Sequence, residues 1–164
     1  MDIVGPLVGG LLAFIGPNLW WILPLVAIRV VVTFPMPGRG PTSSRRDPWR
    51  GFKYAARAEV FARAGDRCEG AAFFAWGKCG KIAGEVDHVY PHSKGGPTVV
   101  RNGQALCASH NRRKGNRTPP WWYILGLEKR RRSYFPEGVD VRVGAVINAG
   151  DLKARERWTA KRRY

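Results

Sequence analysis

The chain has 164 residues, enough for one domain or a small domain with appendages, and its 45% hydrophobic content is unevenly spread. The formal net charge of +16, at a pI near 10.7, falls wholly on residues 35–164, because Asp2 and Arg29 cancel within residues 1–34. A portion so basic repels itself unless it meets a polyanion, which leaves nucleic acid or an anionic lipid surface as partners, and three cysteines exclude a disulfide framework that pairs them all.

Residues 3–28 contain no charged side chain. As a helix they span about 39 Å, longer than the roughly 30 Å hydrocarbon core of a bilayer. Pro6, Pro17 and Pro24 should kink that helix, and Arg29 can snorkel to the interface. Arg39, Arg45, Arg46 and Arg50 follow, opposed only by Asp47. Residues 1–34 are therefore expected to form a single transmembrane segment, with the C-terminal bulk cytoplasmic. A re-entrant hairpin turning at Gly16-Pro17-Asn18, a buried core helix and a signal peptide are the rival readings. Asp2 at the start and Val32-Thr33-Phe34 as a cleavage context both argue against the signal peptide.

Residues 35–47 read as a flexible basic linker of prolines, glycines and arginines. Asp47-Pro48 has the form of a helix N-cap followed by proline at the first helical position, with Gly65 as the stop. The cysteine and histidine cluster occupies Cys68 to about Lys114, and Phe73, Phe74 and Trp76 are expected to pack its first loop. Pro119-Pro120 ends that region, so residues 48–118 form the expected domain and residues 119–164 a basic C-terminal extension. Within the extension, Val139, Val141 and Val143 alternate as a short strand would, and Asp151 is placed to cap a final basic helix. Lys129 to Arg132 and the Lys161-Arg162-Arg163 end read as solvated charge or as added nucleic-acid footprint. Trp121, Trp122 and Tyr123 read as a patch able to meet a membrane interface.

If residues 107–116 are helical, Cys107, His110, Asn111 and Lys114 share one face. A polar stripe of that kind needs partners, and metal ions supply them. Cys107 and His110, with Cys68 and Cys79 from opposite sides of a loop, can complete a tetrahedral Cys3His zinc site. The bland alternative is three inert buried cysteines beside a surface histidine. A domain this small gains much of its stability from a bound metal, which favours Zn²⁺. Asp87 and Asn111 offer oxygen ligands suited to Mg²⁺ or Mn²⁺. His88 follows Asp87, so in a strand the two point to opposite faces, and a histidine near its ordinary pKa can accept a proton from water.

The run from Asp87-His88 through Pro91, Ser93 and Gly95-Gly96, then Asn102, then Leu106-Cys107 to His110-Asn111 and Lys114, resembles the HNH endonuclease family. That family's pattern is Asp-His-x-x-Pro-x-Ser-x-Gly-Gly, then Asn, then Leu-Cys-x-x-Cys-His-x-x-Lys. The resemblance implies an α+β chain: a small ββα-metal domain with structural zinc, preceded by the transmembrane helix and basic linker. It implies His88 as general base, Asp87 and Asn111 as ligands of the catalytic ion, Asn102 as the residue that aims His88, and Lys114 facing phosphate. His110 stands where the family has its last zinc cysteine, Asn111 where a histidine is commoner, and His92 at no fixed family position. Arg101, Arg112, Arg113, Lys114 and Arg117 are the expected backbone contacts, with DNA favoured over RNA by the resemblance alone and little sequence specificity. A double-strand break from one such site needs two copies or two encounters, which leaves a homo-oligomer open.

Overall fold

The computed structural model describes residues 4–72 and 77–161. The aromatic cluster Phe73, Phe74 and Trp76, and the Arg162-Arg163 end, lie outside those residues. The chain divides into two units, Met1–Phe34 and Pro35–Tyr164.

The first unit is helix α1, Val4–Thr33, which runs through Pro17 and Pro24. The hairpin turning at Gly16-Pro17-Asn18 is therefore not formed. Gly16–Thr33 is long and apolar enough to cross a membrane by length and composition, with a mean hydropathy of 1.4 and none of it buried. A signal sequence near the N-terminus has the same length and composition.

The second unit is mixed helix and strand. Its elements are α2 (Tyr54–Ala64), β1 (Glu85–His88), β2 (Gly103–Leu106), α3 (Ala108–Lys114), α4 (Trp121–Arg131) and α5 (Ala149–Lys161), with single 3-10 turns at His92–Lys94 and Val100–Asn102. Strands β1 and β2 pair antiparallel, with Asp87 opposite Gln104 and His88 opposite Gly103. The connection between them carries Gly95 at φ +85°, and a Cβ there would lie 2.1 Å from the Ser43 carbonyl oxygen. A Cβ on Gly96 would lie 1.8 Å from the Tyr90 oxygen, so the Gly-Gly pair is required by close backbone approach.

Two of the buried apolar clusters join helices to the sheet region. Phe52, Val60, Ala64, Ala83 and Ala105 join α2 to the sheet. Val89, Tyr90, Ile124, Leu127, Val143 and Ala145 join α4 and the segment after it to the β1–β2 connection. Ile124, Leu127, Val143 and Ala145 thus share a core with Val89 and Tyr90.

Several local expectations are corrected. The helix expected from Pro48 begins at Tyr54, with Lys53 rather than Asp47 preceding it. Asp47 is only 6% exposed and receives the Arg155 guanidinium, a set of charge-assisted bonds that one N-cap bond cannot match. The segment Val139–Val143 forms no strand. Val143 N–H donates to Glu128 Oε1 at 2.8 Å and Ala145 N–H to the Arg39 carbonyl at 3.1 Å, so its polar groups are satisfied without a neighbouring strand. Helix α5 is capped by Asn148, whose Oδ1 accepts from Asp151 N–H at 2.7 Å, and not by Asp151.

Within the basic run 129–132, Lys129 and Arg132 are exposed, but the two central arginines are corrected sharply. Arg130 and Arg131 are buried, at 7% and 2% exposure. Arg131 Nε donates to Glu69 Oε1 at 2.7 Å and its Nη2 to the Gly103 carbonyl at 2.7 Å. Glu69, itself 2% exposed, also accepts from Ala105 N–H and from the Tyr134 hydroxyl. A buried carboxylate needs such partners, so these arginines are structural rather than solvated.

Candidate metal and nuclease site

The segment Arg67–Gly70 runs beside Cys79–Ile82. Cys68 N–H donates to the Lys81 carbonyl at 2.9 Å and Cys79 N–H to the Gly70 carbonyl at 3.1 Å. This ribbon places Cys68 and Cys79 together despite their separation, and Cys107 follows the end of β2 beside them. The ligand atoms of Cys68, Cys79, Cys107 and His110 all lie within 4.8 Å of one another. His110 Nδ1 is 3.5 Å from Cys68 Sγ and 3.3 Å from Cys107 Sγ. Its Nε2 donates to the Ala71 carbonyl at 3.0 Å, which leaves Nδ1 bare and facing the thiols. Two backbone amides, Gly70 and Cys107, point at Cys68 Sγ. Burial pushes the Cys68 thiol up to about 11. Burial also acts against Cys107 ionisation, but hydrogen bonds from the Ser109 hydroxyl and the His110 backbone N–H outweigh it and bring that thiol down to about 5. Three sulfurs and an imidazole nitrogen in this grouping fit a tetrahedral zinc ion.

Gly70 is part of this site without any signal in the motif. A Cβ on it would fall 2.4 Å from His110 Cγ, so only glycine lets the imidazole reach the thiols.

Strand β1 sends Glu85 and Asp87 to one face and Val86 and His88 to the other. On the first face α3 supplies the partners. Lys114 Nζ donates to Asp87 Oδ2 at 2.7 Å, and Asn111 Nδ2 donates to Glu85 Oε2. Lys114 therefore stands on the carboxylate of the expected metal ligand and not against open solvent, with its side chain only 10% exposed. Glu85 was missed from the sequence, although its position two residues before Asp87 on a strand was the available signal. The donors Glu85, Asp87 and Asn111 are oxygen groups of the kind Mg²⁺ and Mn²⁺ prefer, and the ammonium already held there shows that this face accommodates positive charge.

On the opposite face His88 is 5% exposed, with its ring 4.7 Å from the Phe52 ring and 5.7 Å from the His92 ring. Its Nε2 lies 2.9 Å from Thr98 Oγ1. Burial is the main cause that pushes the imidazole down to about 4, against the raising effect of Asp87. The expectation of an ordinary histidine pKa is thus corrected: the ring is uncharged at neutral pH. His92 is half-buried, and its Nε2 donates to the Asp47 carbonyl at 2.7 Å.

Asn102 is fully buried. Its Oδ1 accepts from Tyr90 N–H at 2.8 Å, and its Nδ2 donates to the Tyr90 and Pro97 carbonyls at 3.1 and 2.9 Å. These bonds clamp both ends of the loop that follows His88. Arg112, Arg113 and Arg117 are exposed beside α3. Arg101 is exposed but pairs with Asp140 at 2.9 Å. Tyr123 donates its hydroxyl to Gln104 Oε1 at 2.9 Å, which turns it toward the sheet.

Residues 77–117 match the family model of the HNH endonuclease. The match contains Cys79, β1, β2 and α3. No curated protein and no solved structure matches the chain.

Proposed function

We propose that the HNH domain hydrolyses phosphodiester bonds of nucleic acid, with DNA as substrate by family resemblance. The observation that carries this reading is the division of labour across β1. Asp87 faces the oxygen and cation groups of α3, while His88 faces Thr98 on the other side with one ring nitrogen already engaged. In this reading Asp87 and Asn111 hold Mg²⁺ or Mn²⁺, with Glu85 beside them, and Cys68, Cys79, Cys107 and His110 hold structural Zn²⁺. A divalent ion so bound supplies positive charge for the scissile phosphate and the departing 3′ oxygen. His88 accepts a proton from the attacking water as its oxygen bonds to phosphorus. The bond from phosphorus to the 3′ oxygen breaks, and solvent protonates that oxygen, leaving 5′-phosphate and 3′-hydroxyl ends. Asn102 keeps the loop after His88 closed. Arg112, Arg113 and Arg117 bind the backbone, which carries no sequence information, and Arg101 and Lys114 join them on leaving Asp140 and Asp87. The same reading takes residues 1–34 as a single membrane span, with the nuclease on the cytoplasmic side where Arg39, Arg45, Arg46 and Arg50 follow it.

A second reading, a non-catalytic zinc module that binds nucleic acid, is favoured by the Lys114–Asp87 ion pair, which occupies a ligand carboxylate. One experiment separates the two. The full chain in detergent is incubated with supercoiled plasmid and Mg²⁺ or Mn²⁺, beside His88→Ala and EDTA controls. Nicking or linearisation that needs both metal and His88 supports the nuclease. A zinc-loaded protein that retards plasmid and never cuts it supports the binding module.

A further inference from the structure

Thr98 uses every polar group it has. Its N–H donates to Asp47 Oδ2 at 2.8 Å, and its carbonyl accepts from Arg155 Nη2 at 3.0 Å. Its hydroxyl has a single proton, which goes to the Trp49 carbonyl. A carbonyl has no proton to offer, so at this bond the hydroxyl must be the donor. The remaining contact of Thr98 Oγ1, to His88 Nε2, can then be made only with the hydroxyl as acceptor and Nε2–H as donor. The imidazole is thereby held with its proton on Nε2 and Nδ1 bare.

We propose that Thr98 is a positioning residue that fixes the tautomer and ring orientation of His88, and that the buried Asp47–Arg155 pair holds Thr98 in place to do so. The pair is well built for this. Arg155 Nε and Nη2 both reach the Asp47 carboxylate at 2.8–3.0 Å, and the guanidinium stacks on the Trp49 ring at 4.4 Å. Trp49 in turn offers the carbonyl that takes the Thr98 proton. Helix α5 and the segment around Asp47 are thus connected to the nuclease site, although neither touches its reacting groups. An imidazole in the wrong tautomer presents a proton where a base must present a lone pair.

This inference rests on the nuclease reading for its catalytic consequence but not for its structural one, and the test separates them. Nitrogen-15 NMR of the metal-loaded and Mg²⁺-free full chain in detergent reads the His88 tautomer directly. The unmodified chain should show Nε2 protonated and Nδ1 bare. Thr98→Val should give a mixture of tautomers, and kcat on plasmid should fall about 10- to 100-fold, the usual loss for removing a supporting hydrogen bond of this kind, while KM stays unchanged. Thr98→Ser should restore both the single tautomer and most of kcat. A proton on Nδ1 in the unmodified chain overturns the proposal, whether or not Thr98→Val folds. So does a Thr98→Val protein with one tautomer and unchanged kcat, or a Thr98→Ser protein as impaired as the valine variant. A chain that cuts no plasmid overturns the nuclease reading, and the tautomer spectrum still decides the role of Thr98.

Discussion

The Asp47 carboxylate and the Arg155 guanidinium, 108 positions apart in the chain, meet as a fully desolvated ion pair with Nη2 and Oδ2 2.8 Å apart. Neither residue belongs to a motif. Their pairing ties α5 to the segment around Asp47 and to Thr98, which faces His88.

Breaking this pair from one side leaves an uncompensated buried charge, which costs about 3–5 kcal/mol. Arg155→Ala should therefore lower the denaturant midpoint strongly. The Asp47→Ala, Arg155→Ala double variant should be less destabilised than the two single losses added together. Strict additivity in chemical denaturation would contradict the pairing.

Removal of residues 119–164 takes Arg131 away from Glu69, which is buried and accepts from it at 2.7 Å. Residues 35–118 alone should lack a cooperative unfolding transition. Glu69→Gln in that shortened chain should recover part of it, because a neutral amide no longer requires the guanidinium. A sharp melt for the unmodified short chain would show that α4 is dispensable.

Gly70→Ala is expected to abolish zinc retention, because the added methyl would fall 2.4 Å from His110 Cγ. Metal analysis after dialysis reads this directly, and a chelator should lower the Tm of the unmodified chain in the same way. His110→Cys should retain zinc, since thiolate and imidazole are both good ligands. Zinc bound normally by Gly70→Ala would remove His110 from the ligand set.

Glu85→Ala deprives Asn111 of its carboxylate partner across β1 and α3. The affinity for Mn²⁺, measured by titration calorimetry, should fall about 10- to 100-fold while zinc content is unchanged. Unaltered Mn²⁺ affinity would make Glu85 a bystander.

Two pH windows follow from burial. His88 is pushed down to about 4 from an ordinary 6.5, so the unfolded chain binds its proton first as pH falls. The stability involved is complete above pH 6.5 and lost between there and about 4, roughly 3 kcal/mol at most. Asp47 is opposed by burial, yet the Arg155 hydrogen bonds still hold its carboxyl below the usual 3.8. Its contribution is present above that value and lost only at lower pH. His88→Gln should flatten the first window and leave the second. Equal slopes in both proteins between pH 6.5 and 4 would rule His88 out as the titrating group.

The grouping of the candidate ligands was legible in the order of residues because side chains carried by one helix or one strand obey local periodicity. Cys107, His110, Asn111 and Lys114 follow from 3.6 residues per turn, and Asp87 and His88 from the alternation of a strand. Cys68 and Cys79 were legible by chemical type, since soft donors near a Cys-x2-His helix have few other uses. Glu85 was within reach of the same alternation. Asp47, Thr98, Arg155, Glu69 and Arg131 were not. An Asp before a proline reads locally as a cap, a run of arginines as solvated charge, and three alternating valines as a strand. Each of those local preferences is worth about 1 kcal/mol, whereas leaving a buried Asp47 or Glu69 without its arginine costs several times more. Partners 108 and 62 positions away leave no periodic trace in the chain, so the larger energy acts only once tertiary packing has brought them together.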